Sequence, residues 1–385
     1  MNCIFRTGHQ AFLVLVVLPL FIILISCYSC SGLQSNVVAS RHQFLLESTY
    51  SLLLLSQRKR ESKSSDALTL PLRFLPNGGC LAVKLMVNDQ RNRQLFSYYA
   101  FVDTGSPFLT APPTILPYSK DESQQYPPSQ EQYGESVGQM QWRSISNVEV
   151  ITSSYIPFDI PQKKTIVGIP DNNVVDDTGG IFLGLIYRDD YRPSVMQQWG
   201  YSTFMLDYRD KLLTFYKTSI IPKDEPAALK LFDFSPYGDT LYHYGVHCAS
   251  FTLQMTSTAS VVNDATRRSN THKISTMRRP VVAVVDSGLT GCVFSDSLRD
   301  ELASLGYNNM KGVTGLTVDL PTISGGNLTL SSSPQYWFLS SFKLPWFDDD
   351  EEHPHVIAMG ATFLAPNCRI SVDPVSQRIA IDNER

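Results

Sequence analysis

The sequence lacks a strong excess of charge of either sign. Its 385 residues include 32 Lys and Arg against 36 Asp and Glu, a formal net charge of -4, and only 18% of the residues are charged. A chain so close to neutral has no global field that would attract nucleic acid or an anionic membrane surface, so neither is expected as a partner on this ground. With 43% hydrophobic residues, the chain is globular in composition and long enough for two ordinary domains.

Motifs for a catalytic metal are also missing. No His-Glu-x-x-His sequence occurs. His243 and His247 are four residues apart across a glycine in a β-like context. His353 and His355 follow the acidic run 348–352, a kind of segment that is usually solvated. We therefore expect no metal site and no cofactor.

Long apolar runs are confined to the N-terminus. Residues 11–25 carry no charge, but the run is shorter than the roughly 20 residues that cross a bilayer comfortably, and Pro19 interrupts it. We predict a signal peptide at 1–30, with a retained signal anchor as the open alternative, and a propeptide at 31–60 that ends at Arg58-Lys59-Arg60. The expected destination is the secretory pathway, extracellular or vacuolar/lysosomal, with membrane attachment only if the N-terminal segment is kept.

Cysteine is scarce, with seven in the chain, three of them in or beside the predicted leader. The other four form an even set in a secretory chain, which predicts two disulfides in one of three connectivities. Buried thiols are the open alternative. The four residues are Cys80, Cys248, Cys292 and Cys368.

After about residue 65, short apolar segments rich in β-formers alternate with turn clusters, which predicts an all-β chain. A linker-like segment at 221–227 divides them into two tandem domains, 61–220 and 221–385. The best helical pattern is 295–305, with Ser295 or Asp296 as N-cap and Gly306 at its end. The polar stretches 118–132 and 256–279 are predicted to be surface loops.

The two halves repeat one pattern. Asp103-Thr104-Gly105-Ser106 follows the apolar segment 98–102, and Asp286-Ser287-Gly288 follows the apolar segment 281–285. Each puts an acid at the end of a buried strand, then a small hydroxyl residue, then a glycine that permits a tight turn. If the two loops meet, one carboxylate can take a proton from water while the other gives a proton to a carbonyl.

These motifs resemble those of pepsin-like aspartic endopeptidases, and the resemblance covers most of the chain after about residue 68. The acids lie 183 positions apart (286 - 103), as in two fused lobes. Tyr133-Gly134 with Gly138 resembles the flap that covers bound peptide, and 182–185 and 357–360 resemble the paired strands with glycine that run beneath the catalytic loops. The resemblance implies a bilobal fold of two β-barrel-like lobes around a cleft, a monomer, and an extended peptide or protein substrate.

It also implies roles for individual residues. Asp103 and Asp286 are the expected catalytic pair, sharing one proton as such pairs do in aspartic proteases, with activity at acidic pH. Thr104 and Ser287 would tie each loop to the opposite lobe, and Ser106 would donate a hydrogen bond to its carboxylate. The supporting set is Thr104, Gly105, Ser106, Ser287, Gly288 and Thr290; Tyr133 and Gly134 would bind substrate.

One departure leaves a second hypothesis open. Where family members carry a hydroxyl residue after the second motif, this chain has Leu289, with Thr290 one place later. The alternative is a catalytically silent pepsin-like protein that binds peptides or proteins in its cleft. Two intact acids argue against it, since a binding protein has little need of mutually repelling carboxylates.

Three further motifs have simpler explanations. Asp177-Thr178-Gly179 is a third copy of the triplet but follows polar sequence, so it is predicted to be a turn. Residues 134–138 match the Gly-x-Ser-x-Gly elbow of serine hydrolases without the strand before it and helix after it that this motif needs. Asn327-Leu328-Thr329 is a predicted glycosylation sequon.

Overall fold

The computed structural model describes residues 66–74, 81–89, 94–112, 126–133, 136–146, 148–151, 157–159, 164–170, 181–187, 193–237, 243–256, 269–308, 310–340, 353–365 and 368–383. They belong to one compact unit, 63–385. The predicted signal peptide and propeptide, Cys80, Gly134 and the triplet at Asp177 lie outside the described residues. None of the helices within the described ranges is long and apolar enough to cross a membrane.

The described residues are mostly β-strand, as predicted. The first twelve strands are β1 (Ala67–Phe74), β2 (Leu81–Asp89), β3 (Gln94–Asp103), β4 (Leu109–Thr110), β5 (Ser129–Tyr133), β6 (Ser136–Ser146), β7 (Val148–Ile151), β8 (Pro157–Asp159), β9 (Lys164–Pro170), β10 (Ile181–Gly184), β11 (Thr203–Asp207) and β12 (Leu212–Tyr216). The others are β13 (Leu229–Lys230), β14 (Gly245–Cys248), β15 (Ser250–Thr256), β16 (Ser269–Ile274), β17 (Val281–Val285), β18 (Cys292–Phe294), β19 (Val313–Pro321), β20 (Asn327–Ser331), β21 (His355–Met359), β22 (Cys368–Asp373) and β23 (Arg378–Asn383).

Helices are short and few in these ranges. The α-helices are α1 (Val195–Gln198), α2 (Asp296–Ser304) and α3 (Ala361–Leu364), and the 3-10 turns are Ser235–Tyr237, Met310–Gly312 and Pro334–Tyr336. The prediction for α2 is confirmed. Its N-cap Ser295 accepts a hydrogen bond from the Leu298 amide, and Gly306 takes the positive φ of 95° that ends the segment.

The strands form three sheets. The largest has the order β13-β23-β22-β11-β12-β1-β2-β3-β10-β4-β9-β6-β5, with β7 beside β2 and β8 beside β7. Two four-stranded sheets follow, β14-β17-β21-β18 and β16-β15-β19-β20. No order among the described strands closes into a barrel. The predicted division at 220/221 stays a prediction.

The largest sheet joins early and late parts of the chain. Strand β11 pairs antiparallel with β22, with Phe204 opposite Val372 and Leu206 opposite Ile370. These four side chains are buried in one continuous hydrophobic core. Because the pairing combines backbone hydrogen bonds with apolar burial, it holds the C-terminal strands firmly against the first half of the molecule.

Two parallel strand pairs carry the sequence motifs. Strand β3 runs beside β10, with Asp103 opposite Gly184, and β17 runs beside β21, with Val285 opposite Met359. All five residues of β17 are buried, the pattern of a strand covered on both faces. Each acid therefore leaves its sheet at the carboxyl end of a strand that is fixed by a parallel neighbour.

Two loop predictions are wrong in part. The stretch 118–132 contains most of β5, and 256–279 contains β16. Both strands are polar, Ser-Gln-Glu-Gln-Tyr and Ser-Asn-Thr-His-Lys-Ile, and each lies at the end of its sheet order. An edge strand can be held by its neighbour's backbone hydrogen bonds without apolar alternation, which is the only signal that the sequence offers.

The prediction of two disulfides is also wrong. Cys248, Cys292 and Cys368 are free buried thiols, so two bridges cannot form among these and Cys80. The Cys248 thiol donates to the Ser250 carbonyl at 3.2 Å, and burial raises the pKa of the Cys248 thiol to about 12. The even count suggested bridges, whereas these residues act as small core side chains.

Candidate active site

The first acidic loop is held by strand β10. The carbonyl of Asp103 accepts from the Leu185 amide at 2.9 Å, and the Ser106 carbonyl accepts from the Ile186 amide at 3.0 Å. A Cβ on Gly184 would overlap the backbone of Phe108, so this close approach requires glycine. The Gly105 amide donates to Asp103 Oδ1 at 2.8 Å and fixes the orientation of the carboxyl group.

The second loop is built in the same way against β21. The Asp286 amide donates to the Met359 carbonyl at 3.0 Å, and the Gly288 amide donates to Asp286 Oδ1 at 3.0 Å. A Cβ on Gly360 would overlap the Leu289 carbonyl oxygen. Gly184, the last residue of β10, and Gly360, the residue after β21, thus perform the same task, which is close backbone packing beneath a turn.

Four hydrogen bonds cross between the two loops. Thr104 Oγ1 donates to the Val285 carbonyl at 2.9 Å and accepts from the Ser287 amide at 2.9 Å. Ser287 Oγ donates to the Val102 carbonyl at 2.7 Å and accepts from the Thr104 amide at 3.1 Å. Both side chains are almost fully buried. The pairing is reciprocal, so each hydroxyl satisfies one donor and one acceptor of the opposite loop.

This arrangement brings the two acids into contact. A Cβ on Gly105 would lie 2.7 Å from Asp286 Oδ2, and one on Gly288 would lie 2.6 Å from Asp103 Oδ1. Each carboxyl group therefore lies directly against the glycine of the opposite loop. The absence of a side chain at each glycine leaves the space that the opposing carboxyl group occupies.

The two acids are electrostatically coupled. Burial raises the pKa of Asp286, and the charge of Asp103 pushes it further, to about 8. Burial also raises the pKa of Asp103, but the neighbouring Ser106 hydroxyl, the Gly105 amide and Asp286 oppose the rise. Because two negative charges this close repel each other, the pair titrates as a unit that holds one shared proton between its two ionisations.

Leu289, the residue that departs from the family pattern, follows directly after the second loop. Its side chain packs against an apolar cluster that includes Val282 and Val284, and the hydrogen bonds that lower the pKa of Asp286 come from the backbone of Gly288 and Leu289. Ser106 Oγ is buried near enough to Asp103 to lower its pKa, although it meets strict hydrogen-bond geometry with no group in the described ranges. The carbonyl of Thr290 accepts from the Thr362 amide at 2.9 Å, which ties this loop to α3.

The predicted flap is a β-hairpin. Strands β5 and β6 pair with Tyr133 opposite Ser136, and Gly138 lies opposite Glu131. The side chain of Tyr133 and all of Gly134 lie outside what is described. Ser136 begins a strand, so the serine-hydrolase elbow has no helix after it. The hairpin is linked to the first acidic loop through Trp142 of β6, whose ring stacks edge-on with Phe108 at 4.6 Å.

Two residues beside the site were missed by sequence reasoning, which considered His243 only as a metal ligand. The His243 ring donates to the backbone of Gly105; burial lowers the pKa of His243 to about 4 against the opposing effect of that bond. Tyr244 donates to the Leu185 carbonyl at 2.7 Å and accepts from the Tyr187 amide at 2.9 Å. A bracing contact between distant segments leaves no local sequence pattern.

The predicted glycosylation residue is accessible. Asn327 is exposed at the start of β20, opposite Pro321. Thr329 of the same sequon donates to Asp319 Oδ1 at 2.8 Å.

Comparisons with known proteins support the fold. The sequence matches no family model and no curated protein. Among solved structures, the chain is similar to basic 7S globulin from soybean, with a TM-score of 0.50 and 10% identity over 83% of this chain and 96% of that one. It is also similar to an aspartic proteinase from Irpex lacteus (TM-score 0.46, 13% identity, 82% and 97% covered) and to edgp (0.49, 10%, 84% and 96%).

At 10% identity, the likeness to the soybean protein shows a shared fold and no activity. The chain therefore has the pepsin-like all-β fold that the sequence predicted. Its chemistry has to be inferred from the two acidic loops themselves.

Proposed function

We propose that this chain is an aspartic-type endopeptidase that hydrolyses peptide bonds with a water molecule activated by Asp103 and Asp286. The observation that carries the proposal is the set of four reciprocal hydrogen bonds between the two loops, which places two buried carboxyl groups against each other's glycines. Such a pair holds one base and one acid at the same pH, which is what peptide hydrolysis by water requires.

Burial and then the charge of Asp103 raise the pKa of Asp286, so we assign the base to Asp103 and the acid to Asp286. Ionised Asp103 takes a proton from water while the water oxygen attacks the peptide carbonyl carbon. Protonated Asp286 gives its proton to the carbonyl oxygen. Asp103 then returns its proton to the departing amine as the C–N bond breaks, and Asp286 recovers the proton from the hydroxyl of the intermediate. Protons and electrons balance without a covalent intermediate or cofactor.

The substrate class follows from the surroundings of the pair. If the β5–β6 hairpin covers bound substrate as the flap of the family does, an extended peptide is the natural occupant, since strand-like backbone pairs with strand-like backbone. The proposed substrate is therefore a peptide or an unfolded segment of a protein, taken by a monomer. The predicted leader and exposed Asn327 favour a glycosylated product of the secretory pathway, made as a zymogen.

The test compares the wild type with Asp103→Asn and Asp286→Asn in cleavage of a denatured protein between about pH 3 and pH 8. Asp177→Asn, in the third Asp-Thr-Gly triplet, is the matched control. We expect pepstatin-sensitive cleavage by the wild type and the control, and a loss of about 10²-fold or more for either substitution in the pair.

The pKa values also set the pH range. Activity should rise as Asp103 ionises and fall as Asp286 loses its proton near pH 8, so cleavage should extend toward neutral pH. If the folded wild type cleaves nothing across this range yet binds the denatured protein, the catalytically silent alternative suggested by Leu289 is the correct one. Cleavage retained by both pair variants would refute the assigned roles.

A further inference from the structure

A second cluster of reactive side chains lies on the C-terminal part of the chain, on α2 and β21. Ser297 Oγ lies 3.0 Å from His355 Nδ1, and His355 Nε2 lies 2.7 Å from Glu301 Oε2. The His355 side chain is 1% exposed and that of Glu301 is 10% exposed. Because Ser297 and Glu301 lie four positions apart on one helix, they share a face and approach the two nitrogens of one imidazole ring.

The proton positions in this cluster are determined by its other contacts. Burial favours the neutral acid, but the Arg278 amide, which donates to Glu301 Oε1 at 2.7 Å, and His355 together hold the pKa of Glu301 below its usual value. Glu301 is thus an ionised group that can only accept. His355 must carry its proton on Nε2, which leaves the Nδ1 lone pair directed at Ser297.

The donors in the next hydrogen bonds, those of Ser295 and Ser297, can be assigned in the same way. Ser295 Oγ accepts from the Val356 amide at 3.0 Å and lies 3.2 Å from Ser297 Oγ. Ser295 therefore donates to Ser297, and Ser297 donates to His355. A serine hydroxyl pointing at a neutral imidazole oriented by a carboxylate is the arrangement that activates serine as a nucleophile.

The cluster opens onto a cavity. Ser297, Glu301 and His355 line a space of about 350 Å³ together with Arg278, Arg279, Asp296, Asp300 and Ser304. Burial lowers the pKa of His355. Glu301 opposes this effect, and the charge of Arg279 adds to it. The ring is therefore neutral near pH 7 and able to accept a proton. Arg278 and Arg279 bring positive charge to the lining, where negative charge would develop on a substrate oxygen, while Asp296 and Asp300 bring negative charge to the same lining.

From this geometry we infer that Ser297, His355 and Glu301 form a second hydrolytic site, which cleaves small esters. Ser297 Oγ attacks the ester carbonyl carbon while its proton passes to His355 Nδ1. The C–O bond breaks, and the same proton leaves with the alcohol. Water, giving a proton to His355, then attacks the acyl carbon; the bond to Ser297 Oγ breaks, the acid leaves, and the proton returns from His355 to Ser297 Oγ. The site is separate from the paired acids and does not rest on their proposed activity.

The test is covalent labelling of the full chain with a fluorophosphonate probe near pH 7.5, followed by peptide mapping. The probe's phosphorus takes the place of the carbonyl carbon, fluoride leaves, and the proton passes to His355. We expect the label on Ser297, unaffected by pepstatin. Ser297→Ala should abolish it, whereas Ser304→Ala, a serine of the same cavity that bonds only the Glu301 carbonyl in the described contacts, should retain it.

Glu301→Gln separates a reactive site from a structural hydrogen-bond network. It keeps an acceptor for His355 but removes the charge that stabilises the imidazolium, so labelling should slow by about tenfold or more while the far-ultraviolet circular dichroism stays unchanged. The peptide map of the labelled wild type identifies the modified residue by itself, so the test does not depend on the folding of a variant. Absence of label, label on another residue, or labelling unaffected by Glu301→Gln would overturn the proposal.

Discussion

The crossing hydrogen bonds of Thr104 allow a quantitative prediction for the substitution Thr104→Val. Valine has the same shape but no hydroxyl, so the change removes the bonds to the Val285 carbonyl and from the Ser287 amide. Both backbone groups then remain buried without these partners. At about 1–3 kcal/mol for each of the two unsatisfied buried groups, the free energy of unfolding should fall by about 2–6 kcal/mol.

A matched control is present in the same region. Thr110 is fully buried, and its hydroxyl has no hydrogen-bond partner within the described ranges. Thr110→Val therefore keeps the shape and removes a hydroxyl that contributes nothing, so it should be neutral or stabilising. Urea unfolding of both variants at one pH measures the difference. A Thr104→Val variant within about 0.5 kcal/mol of Thr110→Val would refute the reasoning, because that is the ordinary scatter of substitutions without a mechanism.

Two other predictions follow from the same loops. The raised pKa of Asp286 means that the folded state keeps a proton that the unfolded chain releases, so the unfolding free energy of the wild type should decrease from about pH 4 to about pH 8. Asp286→Asn should flatten this decrease. Equal slopes of unfolding free energy against pH, measured by urea unfolding of the two proteins, would contradict the shared proton. Gly360→Ala should destabilise the fold by more than about 2 kcal/mol and abolish peptide cleavage, because the new methyl group overlaps the Leu289 carbonyl. Gly326→Ala is the control. The nearest contact of its new methyl group is a flexible threonine hydroxyl at 3.3 Å, so this variant should change the unfolding free energy little. Thermal unfolding of the pair tests it, and equal midpoints would be inconsistent with the crowding.

Much of the fold was accessible from the sequence because apolar periodicity marks strands that are buried. Val281–Val285 could be recognised before any coordinates, since five successive apolar residues ending at an acid predict a strand covered on both faces. Polar edge strands such as β16 offer no such pattern, and their position depends on a neighbour's backbone. The cysteines show the same limit, because the even count of cysteines predicted bridges, whereas Cys292 lies buried among β-strand residues as a free thiol.

For the candidate site, the sequence identified the two acids but not all of their surroundings. Asp103 and Asp286 have similar motifs, and Leu289 marked the departure, yet the packing of Leu289 onto an apolar cluster is visible only in the folded chain. His243 gave no usable signal because its partner, Gly105, is distant in sequence. Side chains that act across a fold can be interpreted only after the segments they join have been placed.

The pairing of β11 with β22 has a consequence for synthesis on the ribosome. One edge of β11 stays uncovered until residues 208–367 have been translated, because its partner comes from near the end of the chain. During that interval, a nascent chain exposes open backbone donors and acceptors on an apolar strand, the condition under which strands associate with wrong partners. Truncation before β22 should therefore leave an aggregating product rather than a smaller stable protein.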